Sequence, residues 1–256
     1  MKKVHVMLLT VLCIMIGFSL GYFFREVNEE VEVIEQSSSV EVYEEFSVNQ
    51  ILEIRVDTMN VNLQVIPSEN RNIRIVYRPN TGPSNFNYYI ENKIMFMKVD
   101  EVEKSSSIVP SEREMVYLYL PNNTDVTLRF SSQSGFLDVH STNLRNVIAS
   151  TTSGIVSMSD VDVALNMNIE TVTGNVLLKD ISFDDLSVKT SSGLVSCMAN
   201  DKVYNQHFLT KNGSIKVNDV EQEKVFTNND EYLKHMRIET RTGNIRVKVL
   251  EAVYEE

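Results

Sequence analysis

The sequence predicts an all-β chain: a single-domain β-solenoid, a β-helix-like stack of ~20-residue coils, with an irregular N-terminal β region and one N-terminal transmembrane helix. Three observations predict it. Glycines recur at a nearly fixed spacing, apolar residues alternate on both sides of each glycine, and a predominantly apolar run lies close to the first residue.

Six of the nine glycines fall on one register: Gly135, Gly154, Gly174, Gly193, Gly213 and Gly243, separated by 19, 20, 19, 20 and 30 residues. The long last gap reads as one coil plus an insertion near Glu221–Asp230. Seven and five residues before each glycine the side chains are mostly apolar, as in Met167 and Ile169 or Leu186 and Val188. Gln206 is the exception. Two and four residues after each glycine stand pairs such as Val176 and Leu178 or Ile245 and Val247. Period-2 alternation means strands with one buried face, and a glycine between two strands supplies backbone freedom for a corner. A coil cannot bury its apolar face alone, so fixed spacing implies stacking.

Three and one residues before each glycine stand mostly Ser or Thr, as in Thr151 and Ser153 or Thr171 and Thr173. Both positions share parity with the apolar residues, so both are expected to point inward and stack as hydroxyl ladders. An outlying copy precedes the block, with Leu52, Ile54, Val56, Thr58, Val61 and Leu63 in frame and Met59 in the glycine place. Further strands are expected at Ile73–Tyr77, Tyr88–Ile90, Ile94–Val99 and Met115–Leu120, with turns at Pro79–Pro83 and Pro121–Asn123 and a loop at Ser105–Ser111.

Lys2 and Lys3 precede Val4–Phe24, a run whose polar members are His5, Thr10 and Ser19. As a helix it would span roughly 32 Å, close to the hydrocarbon core of a bilayer. The positive-inside rule places its start in the cytoplasm and the rest of the chain outside. A cleaved signal peptide is the rival reading, but no Ala occurs in the first 25 residues to form its cleavage site. Leu12 before Cys13 argues against a lipoprotein signal. Residues 26–45 hold eight Glu and no Lys or Arg, out of a net charge of −11 for the chain. Such a segment is expected to be an extended stalk. The expected order is a cytoplasmic tail (1–3), a transmembrane helix (4–24), an acidic extracytoplasmic stalk (25–45), an irregular capping region (46–130) and the repeats (131–250).

An acidic chain without a basic stripe argues against nucleic acid as a partner. Cys13 and Cys197 are too far apart in kind and place to pair, so the outer part is expected to be stable without disulfides. His5, His140, His207 and His235 are not spaced as zinc ligands. Asp160, Asp180 and Asp219 each stand six residues after a glycine, too sparsely for a calcium ladder, and read as turn-capping residues. No catalytic, cofactor or metal residues are assigned, and no small-molecule substrate is evident. Glu170 stands without a second carboxylate, which argues against a carbohydrate-cleaving enzyme.

The copies Thr171-Val172-Thr173-Gly174-Asn175-Val176, Thr190-Ser191-Ser192-Gly193-Leu194-Val195 and Thr240-Arg241-Thr242-Gly243-Asn244-Ile245 follow a Phe-x5-Leu-x-Ile opening at Phe46–Ile54. This pattern after a membrane anchor resembles a bacterial adhesin-type family of unknown function with β-strand repeats. The resemblance covers roughly residues 46–250. It implies a membrane-anchored solenoid at the cell surface and brings no catalytic residues with it.

The expected function is a non-enzymatic binding or scaffold module, with a protein or cell-envelope component as its partner. The alternative is an envelope-stress sensor that acts through a partner in the membrane. The candidate partner patch is the basic group Lys211, Lys216, Arg237, Arg241, Arg246 and Lys248 in the last coils.

Overall fold

The computed structural model describes residues 42–78, 86–99, 115–122, 124–200, 204–229 and 232–249. The chain divides into two units, residues 1–39 and 40–256, and all described residues belong to the second. The helix expected at 4–24, most of the stalk, the turn at 79–83 and the loop at 105–111 lie outside the described residues. Among the described residues no helix is long and apolar enough to cross a membrane.

The chain is all-β, with one short 3-10 turn at Val48–Gln50. The first strands are β1 (Val42–Ser47), β2 (Glu53–Thr58), β3 (Asn62–Ser68), β4 (Asn72–Arg78), β5 (Phe86–Glu91), β6 (Ile94–Val99) and β7 (Met115–Pro121). The repeat block follows as β8 (Thr127–Ser132), β9 (Leu137–Leu144), β10 (Asn146–Thr151), β11 (Val156–Val163), β12 (Asn166–Thr171), β13 (Val176–Ser182), β14 (Asp185–Thr190) and β15 (Val195–Ala199). The last are β16 (Asn205–Thr210), β17 (Ile215–Val217), β18 (Val220–Gln222), β19 (Val225–Asn228), β20 (His235–Thr240) and β21 (Ile245–Val249).

Each coil contributes one strand to each of two sheets. Sheet A runs β1-β4-β7-β3-β9-β11-β13-β15-β21-β17-β18, and sheet B runs β19-β16-β20-β14-β12-β10-β8-β2-β6-β5. Eight strands of each sheet are parallel neighbours from coil to coil. The remaining edge strands β1, β4, β5, β18 and β19 pair antiparallel. The core lies between the sheets. Met167, Ile169, Val176 and Leu178 are fully buried in one coil, and their equivalents are buried in its neighbours.

Chain order and stacking order differ at both ends. Coil β20–β21 is last in sequence, yet it sits between β14–β15 and β16–β17. Likewise β2–β3 lies between β6–β7 and β8–β9. At each end the outermost coil is followed outward by antiparallel strands that cover its edges. The segment 46–130, expected to be an irregular cap, closes one end and also supplies two coils. The last residues of the expected stalk, 42–45, belong to β1. There the Asn72 amide donates to Glu45 at 2.9 Å and the Phe46 ring meets Tyr88 edge-on at 5.5 Å. The insertion near 221–230 is the edge pair β18 and β19, and Phe226 of β19 stacks on Phe208 at 5.6 Å.

The glycines are required by close approach. A Cβ on Gly154 would lie 1.9 Å from the Gly135 carbonyl oxygen, and one on Gly174 would lie 1.8 Å from that of Gly154. The column continues through Gly193 and Gly243 to Gly213, and it starts on the Val61 carbonyl. Only Gly193 among the described glycines has a left-handed φ, +138°. The expected role of glycine as the flexible corner is therefore corrected: backbone runs against backbone there, and a side chain has no room. The left-handed positions fall instead on Ser141, Asp160, Asp180 and Asp219, six residues after a glycine. Short polar side chains tolerate this conformation. It shifts the strand's parity, which turns Val161 and Val163, and Ile181 and Phe183, inward.

The outlying copy is also corrected. Ile54, Val56 and Thr58 pair with Leu128, Phe130 and Ser132, so Val61 and not Met59 stands in the glycine place. A shift of two residues preserves period-2 parity, and alternation alone cannot detect it.

The two hydroxyl rows part company. Three residues before the glycine, Thr58, Ser132, Thr151, Thr171, Thr190, Thr210 and Thr240 are at most 7% exposed. Thr151 Oγ1 accepts the Gly154 N–H at 2.9 Å, and Thr171 Oγ1 accepts that of Gly174 at 2.8 Å. One residue before it, Ser153, Thr173 and Thr242 are exposed, which corrects the expectation that they point inward. The strand ends at the buried hydroxyl, so alternation does not carry across the bend. The outer hydroxyls donate to the carbonyl of the coil beneath, as Thr173 does to Thr152 at 3.2 Å.

Gly174→Ala should destabilise the fold by about 3 kcal/mol or more through overpacking against backbone, read as a lower urea midpoint at unchanged slope. Thr171→Val, which leaves the buried Gly174 N–H without its acceptor, should cost about 1–3 kcal/mol, and Thr173→Val no more than about 1 kcal/mol. Equal losses in the same unfolding experiment would contradict the inward and outward placement of the two rows.

Candidate functional site

The core repeats from coil to coil, so differences between coils lie on the outer faces. Outward side chains of sheet B come six, four and two residues before each glycine. Those of sheet A come three and five residues after it.

The sequence-derived basic patch divides between these faces. Arg237 lies on sheet B, with Lys211 and Arg241 just past the ends of its strands β16 and β20, and Lys216, Arg246 and Lys248 lie on sheet A, because the two strands of a coil belong to different sheets. On sheet A, Lys248 Nζ bonds the Asp219 carboxylate at 2.8 Å. That hydrogen bond, followed by the charges of Lys248, Lys216 and Arg246, holds the Asp219 carboxyl below its ordinary value. This half of the patch is partly neutralised from within.

On sheet B the coil order assembles something the linear sequence does not show. Four residues before the glycines, the stacked row reads Ser150, Glu170, Lys189, Glu239, Leu209. Two before, it reads Thr152, Val172, Ser191, Arg241, Lys211. These residues line an open depression of about 440 Å³ along the stacking direction, beside the buried threonine row. Lys189 stands between Glu170 and Glu239 in register, yet no ion pair joins it to either. Lys211 and Arg241 likewise have no carboxylate partner among the described residues. Arg237, just outside, is satisfied by Glu239 through Nε at 2.7 Å. Glu170 is thus not the isolated carboxylate of the linear sequence, since Glu239 arrives two coils away by insertion of the last coil.

A second constellation was missed by sequence reasoning. His140 Nδ1 lies 2.6 Å from Ser159 Oγ, and Nε2 lies 2.8 Å from Asp138 Oδ2. A nucleophilic relay uses these residue types, but it needs oxyanion donors and shelter from water. Here the His140 side chain is 38% exposed on an open sheet face. The arrangement serves as a polar tie between coils. Its signal was available, since His140 and Ser159 each stand five residues after a glycine. Among the described residues no group of three His, Cys, Asp or Glu is placed to hold a metal ion.

The fold and its outer rows define a class: an all-β repeat protein of two open sheets with a regular core and a variable polar exterior. The Toastrack DUF4097 family matches residues 51–184, which is 134 of 256 residues, and the chain belongs to that family. No curated protein matches the chain. Among solved structures, a putative cell adhesion protein from Clostridium sporogenes is similar at 14% identity and TM-score 0.54, covering 82% of this chain and 99% of its own. A putative adhesin from Bacteroides fragilis has 12% identity and TM-score 0.42, covering 82% and 97%. A putative lipid binding protein from Parabacteroides distasonis has 10% identity and TM-score 0.33, covering 82% and 97%. The first shares the fold; at their lower TM-scores the other two add nothing for this chain.

Cys197 lies in the core at 2% exposure, and burial pushes its thiol up to about 12. It is therefore protonated at neutral pH and inert. In a Cys13→Ser background, Ellman's reagent at pH 8 should modify no thiol until urea unfolds the protein, and then one per chain. Immediate modification of the folded protein would contradict the burial.

Proposed function

We propose that the chain is a non-enzymatic, membrane-anchored β-solenoid that acts outside the cytoplasm as an adhesin-like binding or scaffold module. The observation that carries this reading is the division of labour between coils. Glycine and threonine positions are spent on stacking, while the sheet B face displays Glu170, Lys189, Arg241 and Lys211, which form no ion pair among the described residues, on a fixed spacing of about 4.8 Å per coil. Rigid presentation of polar groups suits recognition, because little ordering is lost on binding. The apolar run Val4–Phe24 between Lys3 and the glutamate-rich segment supports the anchor and its orientation. The fold shared with a putative cell adhesion protein from Clostridium sporogenes supports the adhesin-like role.

Intact cells treated with a membrane-impermeant biotin reagent should label the full chain, and it should stay with membranes through a carbonate wash. Deleting residues 4–24 should release it from membranes. Full-length protein that is unlabelled and soluble in the cytoplasm would overturn the reading.

A further inference from the structure

We propose that the depression on the outer face of sheet B binds an acidic polysaccharide laid along the stacking direction. The proposal rests on the reading of the chain as a binding module and names the class of its ligand.

Charge comes first. The chain carries −11 overall, yet Lys189, Arg241 and Lys211 gather on three successive coils of one face and form no ion pair with a carboxylate among the described residues. Their coils are neighbours in space only because β20–β21 inserts between β14–β15 and β16–β17. Lys189 and Lys211 are two coils apart, about 9.6 Å along the stacking direction by strand spacing, and they stand in adjacent rows. An extended polymer with regularly placed anions can meet both, with Arg241 between them. The groups are exposed, so the ligand keeps much of its hydration, and binding must fall as salt rises.

The remaining lining selects among polyanions. Two carboxylates also line the depression: Glu239 is bonded to Arg237, while Glu170 is an acceptor-only group beside the cations and needs donors on the ligand. The hydroxyls of a sugar polymer supply them on every ring, whereas polyglutamate has a single backbone N–H donor per residue. Ser150, Thr152 and Ser191 add short donor–acceptor groups, and Val172, 47% exposed, offers an apolar spot for the C–H face of a sugar ring. The depression lies on the face of the sheet, where backbone N–H and C=O groups are already paired between coils. A peptide therefore cannot add as a strand, which is the usual route of peptide capture by sheets. Nucleic acid is disfavoured because no aromatic side chain lines the depression for base stacking.

The test is affinity electrophoresis of the detergent-solubilised full chain through gels containing polygalacturonate, its fully methyl-esterified form, or polyglutamate. Retardation is expected in polygalacturonate alone, at least tenfold weaker for the double variant Lys211→Glu, Arg241→Glu. Salt should reduce it. The variant Lys179→Glu, Arg71→Glu makes the same change of net charge away from sheet B and should be retarded as the parent is. Thermal unfolding of both variants, expected at the parent's midpoint because all four side chains are exposed, separates loss of binding from loss of fold. Absence of retardation, equal retardation by polyglutamate, or equal losses in both double variants would overturn the proposal. Sedimentation of the parent with purified cell envelopes reports on the broader reading separately. Envelope binding without polygalacturonate binding would reject the ligand class and leave the module standing; loss of both would reject both.

Discussion

Backbone packed directly on backbone is the constraint from which the rest of this structure follows. At the glycine column, a Cβ would fall within 2.2 Å of the carbonyl oxygen of the coil beneath at every step from Gly135 to Gly213. A column that tight fixes the path of the chain at one edge of the stack. The threonine three residues earlier is placed where its hydroxyl can accept the glycine N–H, as in Thr151 and Thr171. Asparagines one residue after the column bind it from the other side. The side-chain Oδ1 of Asn175 accepts the Leu194 N–H, and that of Asn244 accepts the Ser214 N–H, each at 2.9 Å. Buried polar backbone is thereby satisfied at a bend where sheet pairing lapses.

A stack of parallel coils has a weakness at its ends, where strands present unpaired N–H and C=O groups. Both ends are handled in the same way, mirrored in chain direction. At one end the inner coil β2–β3 is followed by the antiparallel strands β4 and β5 and then by the outer coil β6–β7. At the other, the outer coil β16–β17 is followed by β18 and β19, and then by the inner coil β20–β21. Two-residue turns tighten each end, at Asn92-Lys93 and Asn218-Asp219, with positive φ at both residues of each pair. That geometry is a type I′ turn, whose twist suits hairpins.

The doubling-back also decides what the surface can do. Placing Arg241 between Ser191 and Lys211, and Glu239 between Lys189 and Leu209, creates a row of charges that neighbours in sequence do not form. The same event separates Lys216, Arg246 and Lys248 from that row and surrounds Asp219 with them. A basic C-terminal region in the sequence becomes two faces of different character. The interior, by contrast, is indifferent to which coil comes next, because every coil offers the same apolar frame. A fold of this kind can be shared at 14% identity.

By itself the sequence determined the repeat, the strands on either side of each glycine and the burial of the threonine row, because period-2 alternation and a fixed spacing are local properties. It also marked β4, β5, β6 and β7 closely, from runs such as Ile94–Val99. It could not separate Met59 from Val61 as the first glycine equivalent, since both choices keep the same side chains inside. Nor could it reveal that Thr173 faces out while Thr171 faces in, because the bend between them interrupts the alternation. The hairpins at Asn92-Lys93 and Asn218-Asp219 lack the glycine that would have announced them. Above all, similar coils are interchangeable as partners, so stacking order is invisible in a list of repeats. Only the tertiary structure decided that the last coil inserts, and with it which charges share a face. Pairing over long distances depends on the covering of open sheet edges, a property of the whole stack and of no single coil.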